Sequence, residues 1–214
     1  LINCNFFSGP DTAFCTKRLL PAYVYLCKVV DGALPAAPEA KAAAAELKPK
    51  YEAIIRDAAD ALCHCGFHTP NHRWAIASVL MLCAKLFDKP ECRTAAEAIL
   101  KEGNDCNEDG EYAERSAGNY NRINNDAMIM LAVATGDENY YAPVLRNLEM
   151  MLTYIDPDDS ILPTTPPAGT WAKRSTRGSI ILNTSTWAIP AASPNCWTPP
   201  TPLCRWWSAT PCAA

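Results

Sequence analysis

The sequence predicts an all-α protein built from antiparallel α/α hairpins and followed by an irregular C-terminal tail. Three observations support this fold class. Apolar residues recur at helical spacing through most of residues 1–162. Residues that favour helix starts and stops divide this part of the chain into six segments. From Pro163 onward, neither helical nor strand periodicity is present, which predicts an irregular segment.

Six helices are predicted, and their boundaries depend on local start and stop signals. Thr69 is the expected N-cap of the third helix, with Pro70 at the first helical position. Asp88 and Glu91 have the spacing of a capping box for the fourth helix. The predicted helices cover residues 12–30, 39–62, 70–87, 90–102, 120–135 and 138–155.

Short links join the first helix to the second, the third to the fourth and the fifth to the sixth, so each of these pairs is predicted to be an antiparallel hairpin. The fifth helix closes at Gly136, and Asp137 is the expected cap of the sixth. Because helix direction alternates, the remaining connections fall at one shared end of the array. These polar segments are residues 5–11, 65–73, 104–119 and 156–160. Since function concentrates on loops carried by a rigid scaffold, this end is predicted to be the functional face.

Net charge and hydropathy narrow the classes of partner. The chain has 214 residues, a net charge of -4 and no cluster of Lys and Arg, which argues against nucleic acid as a partner. No apolar run approaches the roughly 20 residues needed to cross a bilayer, so no membrane span is predicted. An acidic polysaccharide or oligosaccharide, held by a few placed groups, is compatible with this composition. A chain of this length can bury its own core, so its size sets no oligomeric state.

The eleven cysteines and the first residue bear on cellular context. Cys15, Cys27, Cys83 and Cys92 lie in apolar helical stretches, where cysteine behaves as a small buried hydrophobe. They are therefore interpreted as reduced thiols, which favours a cytoplasmic location. The sequence opens at Leu1 with neither an initiator Met nor a signal-like leader, and we expect that the natural N-terminus lies upstream.

Composition changes abruptly near residue 162, which predicts a boundary between residues 1–162 and 163–214. The second segment has no Asp, Glu, His or Tyr, yet it holds nine of the 18 prolines and five of the six tryptophans. Such a segment is not expected to form a normal core. One hypothesis is a shifted reading frame, because the same stretch, read from the third base of its first codon, can encode a charge-balanced, Tyr-rich sequence. No function is assigned to the tail.

The start of the third helix carries the first candidate site. Asn71 and His72 lie in its first turn, where free backbone N–H groups and the helix dipole favour a bound anion such as a carboxylate. His72 can act as acid or base near neutral pH, and Arg73 adds a permanent charge. The alternative is that Asn71 supplements the helix cap while His72 is a solvated surface residue.

The loop before the fifth helix carries the second candidate site. Tyr120 follows this loop close to arginines, and a tyrosine in such a position can move protons between a carbon acid and a leaving oxygen. The alternative role of Tyr120 is an aromatic anchor for the helix start. Further candidate substrate-binding residues of the same stretch are Tyr112, Glu114, Arg115, Asn119 and Arg122.

Two metal sites are weaker hypotheses. Zinc-type ligands occur in the spacing C-x-C-x2-H-x3-H, which is not a standard finger, and no second CxxC follows. The residues concerned are Cys63, Cys65, His68 and His72. Residues 105–110, reading DCNEDG, imitate the start of a calcium loop, but Ser116 occupies the position of the bidentate Glu. No cofactor is predicted, beyond a weak divalent-cation site near Asp105, Asn107 and Asp109.

Three motifs resemble one enzyme family. GFHTPNHRW at residues 66–74, DCNEDGEYAERSAGNYNRINND at 105–126 and MMLTYIDPDDSI at 150–161 resemble the α/α-toroid part of the heparinase II/III-like polysaccharide lyases. The similarity extends over most of residues 3–162, and the sequence in the shifted frame also resembles the family's continuation. The resemblance implies that the hairpins form part of an incomplete (α/α) toroid, and that the chain is a fragment of a longer lyase.

The resemblance also implies β-elimination at a uronic acid. The family's carboxylate-neutralising Asn, its neighbouring His and its Tyr map to Asn71, His72 and Tyr120. Loss of the C5 proton builds enolate charge on the carboxylate, so donors aimed at its oxygens accelerate the reaction. His72 or Tyr120 then takes the proton and Tyr120 protonates the departing oxygen, with Tyr112 as a rival for the tyrosine role. Such lyases usually add a C-terminal β-sandwich with a further His, which this chain lacks, so activity is expected of the full-length parent protein.

Two other functions are compatible with the same loops. An α/α-barrel glycoside hydrolase needs two carboxylates roughly 5 to 10 Å apart, and it would release saturated sugars. Its candidate residues are Asp109, Glu111, Glu114 and Asp126. A non-catalytic carbohydrate-binding or scaffold module would bind sugar without turnover.

Overall fold

The computed structural model describes residues 8–117, 119–155 and 157, and the backbone of two short strands, β1 (Ser160–Ile161) and β2 (Ser175–Thr176). This part of the chain is mostly helical, which confirms the predicted all-α class. It divides into two compact units, the first ending at residue 101 and the second beginning at residue 102. Residues 1–7 lie outside the described residues, and so does the predicted tail at residues 163–214 apart from the backbone of β2.

The described part of the first unit consists of helices whose bounds lie close to the predicted ones. They are α1 (Gly9–Val30), α2 (Pro38–Leu62), α3 (Pro70–Phe87) and α4 (Pro90–Leu100). The last three of these helices each begin with a proline. A proline suits this position because its fixed φ is already helical and the first N–H of a helix has no partner to lose.

α1 begins earlier than predicted because Ser8 caps it. The Ser8 hydroxyl accepts a hydrogen bond from the Asp11 N–H at 3.3 Å, and the Ser8 carbonyl accepts one from the Thr12 hydroxyl at 2.8 Å. The first of these bonds satisfies an N–H that would otherwise be unpaired at the helix start. The predicted start at Thr12 therefore missed the first turn.

α1 and α2 form the predicted antiparallel hairpin. Near the link, Leu26 and Val29 of α1 pack with Ala44 of α2 in one apolar cluster. Farther from the link, the Tyr23 hydroxyl donates to Glu52 Oε2 at 2.9 Å. Earlier residues of α1 thus meet later residues of α2, as two antiparallel helices require.

α3 forms the buried centre of the first unit. Residues 73–84 of this helix are all buried, and α3 contacts α1, α2 and α4. A helix that is apolar on every side must be covered on every side. The hydroxyl of Ser78, a polar residue in this run, donates to the Ala75 carbonyl at 2.9 Å.

The junction between α3 and α4 differs from the predicted capping box. Asp88 has φ 51, in the left-handed region, and its N–H donates to the Ala84 carbonyl. Asp88 therefore closes α3, a position that tolerates this conformation. Lys89 is the N-cap of α4, with no capping hydrogen bond from its side chain to the described backbone, so the predicted capping by Asp88 is wrong.

The second unit consists of a loop, an antiparallel helix pair and the β1–β2 pair, as far as its residues are described. The helical elements are α5 (Tyr120–Thr135), a 3-10 turn (Glu138–Tyr140) and α6 (Tyr141–Leu152). Gly136, with φ 76, closes α5 as predicted. Asp137 caps the 3-10 turn by accepting the Asn139 N–H at 3.0 Å, so α6 begins later than predicted.

Two further predictions concern the membrane and the thiols. No helix in the described part of the chain combines the length and the apolar character needed to span a membrane. None of the seven cysteines within the described residues forms a disulfide bond.

Candidate functional site

The start of α3 differs in one respect from the predicted anion-binding turn. Thr69 is the N-cap, as predicted, and its carbonyl accepts hydrogen bonds from the N–H groups of His72 at 3.1 Å and Arg73 at 3.0 Å. Those two N–H groups are consequently used inside the helix. The prediction of free first-turn N–H groups is wrong for both, and an anion bound here would depend on side chains.

The His72 imidazole lies between two phenyl rings. Its ring centroid is 5.8 Å from that of Phe14 on α1 and 5.4 Å from that of Phe67 in the loop before α3, both in edge contacts. His72 is half-buried, whereas Phe67 is 41% exposed. Nδ1 of His72 is buried and makes no hydrogen bond to any described residue. Aromatic packing, rather than a hydrogen bond at Nδ1, therefore holds the imidazole at the surface of the unit.

The residues on either side of His72 are buried. Asn71 and Arg73 are each only 2% exposed. The Arg73 guanidinium carbon lies 4.4 Å from the centroid of the Trp74 ring, a cation–π contact. Arg73 was expected to add a permanent charge for substrate binding, but its side chain is buried at the helix start beside Trp74.

The first and second predicted loops come together within the first unit. A Cβ placed on Gly9 at the start of α1 would lie 3.0 Å from both Cβ and Sγ of Cys65, so the two backbones approach closely there. Together with the contact between Phe14 and His72, this brings the start of α1 beside residues 65–72. The sequence predicted this shared end from alternating helix directions.

In the second unit, Tyr112 is fully buried within a chain of hydrogen bonds. Its hydroxyl donates to Asn125 Oδ1 at 2.9 Å, and Asn125 Nδ2 donates to Asn147 Oδ1 at 2.8 Å. Asn147 Nδ2 then donates to the Gly110 carbonyl at 2.8 Å, which closes the chain from the loop through α5 and α6. Burial raises the pKa of the Tyr112 hydroxyl well above its ordinary value. Tyr112 therefore anchors the loop, instead of facing substrate as predicted.

The segment DCNEDG folds as a turn. Asn107 Oδ1 accepts the Glu111 N–H at 2.7 Å, and the Asn107 carbonyl accepts the Gly110 N–H at 3.1 Å. Gly110 has φ 91, and a Cβ there would lie 2.3 Å from the Arg146 carbonyl oxygen, so only glycine fits against α6. The side-chain oxygen of Asn107, expected as a weak cation ligand with Asp105 and Asp109, is thus already used by the loop itself.

No group of three His, Cys, Asp or Glu side chains in the described residues could hold a metal ion. The zinc hypothesis needed Cys63, Cys65, His68 and His72, all of which are described. These four side chains do not converge into such a group, since Cys65 Sγ donates to the Ala61 carbonyl at 3.3 Å and His72 packs on phenyl rings.

Tyr120 is the first residue of α5 and is half-buried. Its N–H donates to Ser116 Oγ at 3.4 Å, which fixes the helix start. The nearby predicted substrate-binding residues Arg115, Asn119 and Arg122 are exposed. These side chains are therefore free to meet a solvent-borne ligand, in contrast to the buried Tyr112.

Two of the four carboxylates considered for a hydrolase are engaged in the second unit. Glu111 Oε2 accepts the Tyr154 hydroxyl at 2.9 Å, and this bond raises the pKa of that hydroxyl. Glu114 Oε2 accepts Asn124 Nδ2 at 3.4 Å, and Glu114 is half-buried. Both carboxylates thus have structural partners, which weakens their assignment as a catalytic pair.

Comparison of the chain with protein-family models, with curated proteins and with solved structures finds no match. The predicted set omitted Phe14 and Phe67, although Phe67 belongs to a polar segment that the sequence singled out. A phenylalanine in a short polar loop beside a histidine was the available signal, because an apolar side chain at such a position is either packed on a neighbour or exposed for a ligand.

Proposed function

We propose that this chain is part of a polysaccharide lyase of the heparinase II/III-like kind, which cleaves uronic-acid-containing polysaccharides by β-elimination. Its hairpins would then belong to an incomplete (α/α) toroid. The observation that carries the proposal is the setting of His72, a half-buried imidazole between two phenyl rings at the entry of a buried helix. A titratable group held by packing at the start of a helix suits proton transfer.

β-Elimination makes three chemical demands. A base must remove the proton from C5, donors must stabilise the enolate charge that develops on the adjacent carboxylate, and an acid must protonate the departing glycosidic oxygen. Each demand falls on a residue type that this chain carries at the sites described above.

His72 is the proposed base. Phe14 and Phe67, which flank its ring, carry no charge that could compete for the proton. Because Phe67 is exposed, its ring also offers an apolar surface to the C–H groups of a sugar beside the imidazole. The two residues together would hold a pyranose ring near the base.

Asn71, in the first unit, is the proposed hydrogen-bond donor to the substrate carboxylate. It precedes His72 in the first turn of α3, where the positive end of the helix dipole favours a negative group. Its burial keeps water from the amide, which strengthens a hydrogen bond to a developing charge. Entry of the substrate carboxylate requires a small opening of the helix start.

In the second unit, Tyr120 is the proposed proton donor to the glycosidic oxygen. The exposed Arg115 and Arg122 are proposed to bind carboxylates of the polymer, the role predicted for Arg73 from the sequence. Guanidinium groups suit this role because they bind carboxylates through paired hydrogen bonds.

The direct test follows absorbance near about 235 nm, where a conjugated uronate product absorbs, when the full-length gene product meets uronic acid polymers. We expect His72→Gln to lower the rate roughly 100-fold or more, the usual contribution of a general base. His68→Gln, which replaces an exposed histidine in the loop before α3, is the matched control and should retain activity. Equal rates for wild type and His72→Gln would overturn the assignment of the base.

Asn71→Ala and Tyr120→Phe test the other two roles. Loss of one oxyanion donor is expected to lower kcat roughly 100- to 1,000-fold, whereas substrate binding should change less. Unchanged rates in both variants would contradict the proposed mechanism. Saturated products would instead indicate a glycoside hydrolase.

A non-catalytic carbohydrate-binding module is the second candidate, favoured by the burial of both Asn71 and Arg73. In that case the exposed Phe67 would contact sugar without any bond being cleaved. Isothermal titration with the same polymers would then detect binding that Phe67→Ala weakens, with no change in absorbance.

A further inference from the structure

Two thiols from different helices meet where α2 ends and α4 begins. Cys63 is the C-cap residue of α2, and Cys92 lies in the first turn of α4. Their Sγ atoms are 3.5 Å apart, although the residues are separated by 29 positions in the chain. Both cysteines are free. A disulfide requires an S–S distance of about 2.05 Å, so the sulfurs need approach by only about 1.5 Å.

A neighbouring ion pair holds the same two helix ends together. Nζ of Lys89, just before α4, contacts a carboxylate oxygen of Asp60 in the last turn of α2. The Lys89 side chain is only 15% exposed, which reduces its freedom to leave. This ion pair joins the end of α2 to the start of α4 beside the two thiols, so it helps to keep Cys63 and Cys92 close together.

The two thiols differ in access to solvent. Cys63 is partly exposed, whereas Cys92 is fully buried. Burial, together with the contact with Cys63, raises the pKa of Cys92 to about 12. Burial likewise raises the pKa of the nearby Cys83 to about 12. Since the thiolate is the reactive form, a soluble reagent must react first at Cys63.

We propose that Cys63 and Cys92 form a thiol–disulfide modification site that takes low-molecular-weight disulfides of the glutathione class. This inference does not depend on the proposed lyase activity.

The exchange proceeds in two balanced steps. The Cys63 thiolate attacks one sulfur of the small disulfide, which forms a mixed disulfide and releases one small thiolate. Cys92 then gives its proton to a thiolate and attacks Cys63 Sγ, which forms the Cys63–Cys92 bond and releases the second small thiol. Two protein thiols are oxidised, and one small disulfide is reduced to two thiols.

Oxidation would restrict the loop that precedes His72. The loop from residue 64 to residue 69 begins directly after Cys63 and carries Phe67, which packs on His72. A bond from Cys63 to α4 would anchor the first end of this loop to a second helix. Reduced and oxidised forms should therefore differ in the mobility of Phe67 and in thermal stability.

The test uses the full chain incubated with oxidised glutathione at neutral pH, followed by thiol blocking and peptide mapping without reduction. We expect a cross-linked peptide pair containing Cys63 and Cys92, and a rise in Tm of roughly 5 to 15 °C for a bond that closes a loop of this size. Reduction with dithiothreitol should reverse both changes. The proposal would be overturned if Cys63 and Cys92 were both fully blocked by the thiol reagent after incubation, or if either formed a disulfide with another cysteine.

Three variants separate the steps. Cys92→Ser should stop at a glutathione adduct on Cys63, and Cys63→Ser should leave Cys92 unmodified. Cys63→Ser alters a partly exposed residue, so it remains informative if the buried substitution prevents folding. Cys65→Ser is the matched control, because its Sγ bonds to the Ala61 carbonyl, and it should form the Cys63–Cys92 bond normally. Failure of that control to form the bond would contradict the assigned pairing.

Discussion

Replacing Gly110 by alanine tests how the loop before α5 docks on α6. Gly110 has φ 91, and an added Cβ would lie 2.3 Å from the carbonyl oxygen and 2.5 Å from the carbonyl carbon of Arg146. It would also lie 2.8 Å from the backbone nitrogen of Asn147. These are helix backbone atoms, which cannot rotate away as the end of a side chain could. The loop must therefore lift from α6 in the variant.

Two costs add up in Gly110→Ala. A left-handed backbone costs a residue with a Cβ about 1–2 kcal/mol. Lifting the loop also breaks the bond from Asn147 Nδ2 to the Gly110 carbonyl, which is 2.8 Å long and buried. Leaving a buried partner unsatisfied costs about 1–3 kcal/mol, so the free energy of unfolding should fall by about 2–5 kcal/mol in total.

Gly103→Ala is the matched control for this prediction. Gly103 has φ 84, but an added Cβ there would meet no described heavy atom within 4 Å, so only the conformational cost of about 1–2 kcal/mol applies. Urea unfolding followed by circular dichroism measures both variants. The two variants differ by about 1–3 kcal/mol, so at a slope of about 2 kcal/mol per molar urea the midpoint of Gly110→Ala should lie roughly 0.5–1.5 M below that of Gly103→Ala. Equal midpoints would refute the steric argument.

Three further predictions concern hydrogen bonds and charge. Tyr112→Phe leaves the buried Asn125 amide oxygen without its donor, so the free energy of unfolding in urea should fall by about 1–3 kcal/mol. Tyr154→Phe removes a less buried hydrogen bond and should lower it clearly less. The reverse order would contradict the role of Tyr112 as the anchor of the loop. Burial first, and then its bond to a glutamate, holds the pKa of Tyr23 well above its ordinary value of about 10, as burial does for Tyr112. A group whose pKa is raised on folding stabilises the protein fully below its unfolded pKa, and this stabilisation is lost as the pH rises. The free energy of unfolding should therefore fall above pH about 10, and it should fall less steeply in Tyr23→Phe. A free energy of unfolding that stays constant up to pH about 12 would contradict this prediction. Lys89→Met removes the contact with Asp60 and should lower the free energy of unfolding by about 0.5–1 kcal/mol, less in high salt. A loss that does not depend on salt would contradict an electrostatic contribution and indicate packing instead.

Helix bounds were predicted well where the deciding signal lies within one turn of the chain. Thr69 and Pro70 start α3, and Gly136 ends α5, because each acts through its own φ or its own missing N–H. Asp88 and Asp137 were placed less well. An aspartate serves as an N-cap, a left-handed helix end or the cap of a short 3-10 turn, and only the paths of both neighbouring segments decide which.

The sequence identified residues of suitable chemistry for the candidate site, but it did not show which of them are buried. His72 and Tyr120 were found because histidine and tyrosine at helix starts carry recognisable chemistry. Burial of Arg73 and Tyr112 was missed, because both are polar residues in polar segments. Their burial depends on a tryptophan face in one case and on two asparagines of other helices in the other.

The sequence alone determined the helical class, the positions of the helices and the polar segments that connect them, since periodicity, proline and glycine act locally. The tertiary structure alone decided which polar side chains stay exposed, that Phe14 and Phe67 flank His72, and that Cys63 meets Cys92. The physical reason is that each of these outcomes depends on distances between residues far apart in the chain. Such distances are fixed only when α1, α2 and α4 pack around the buried α3.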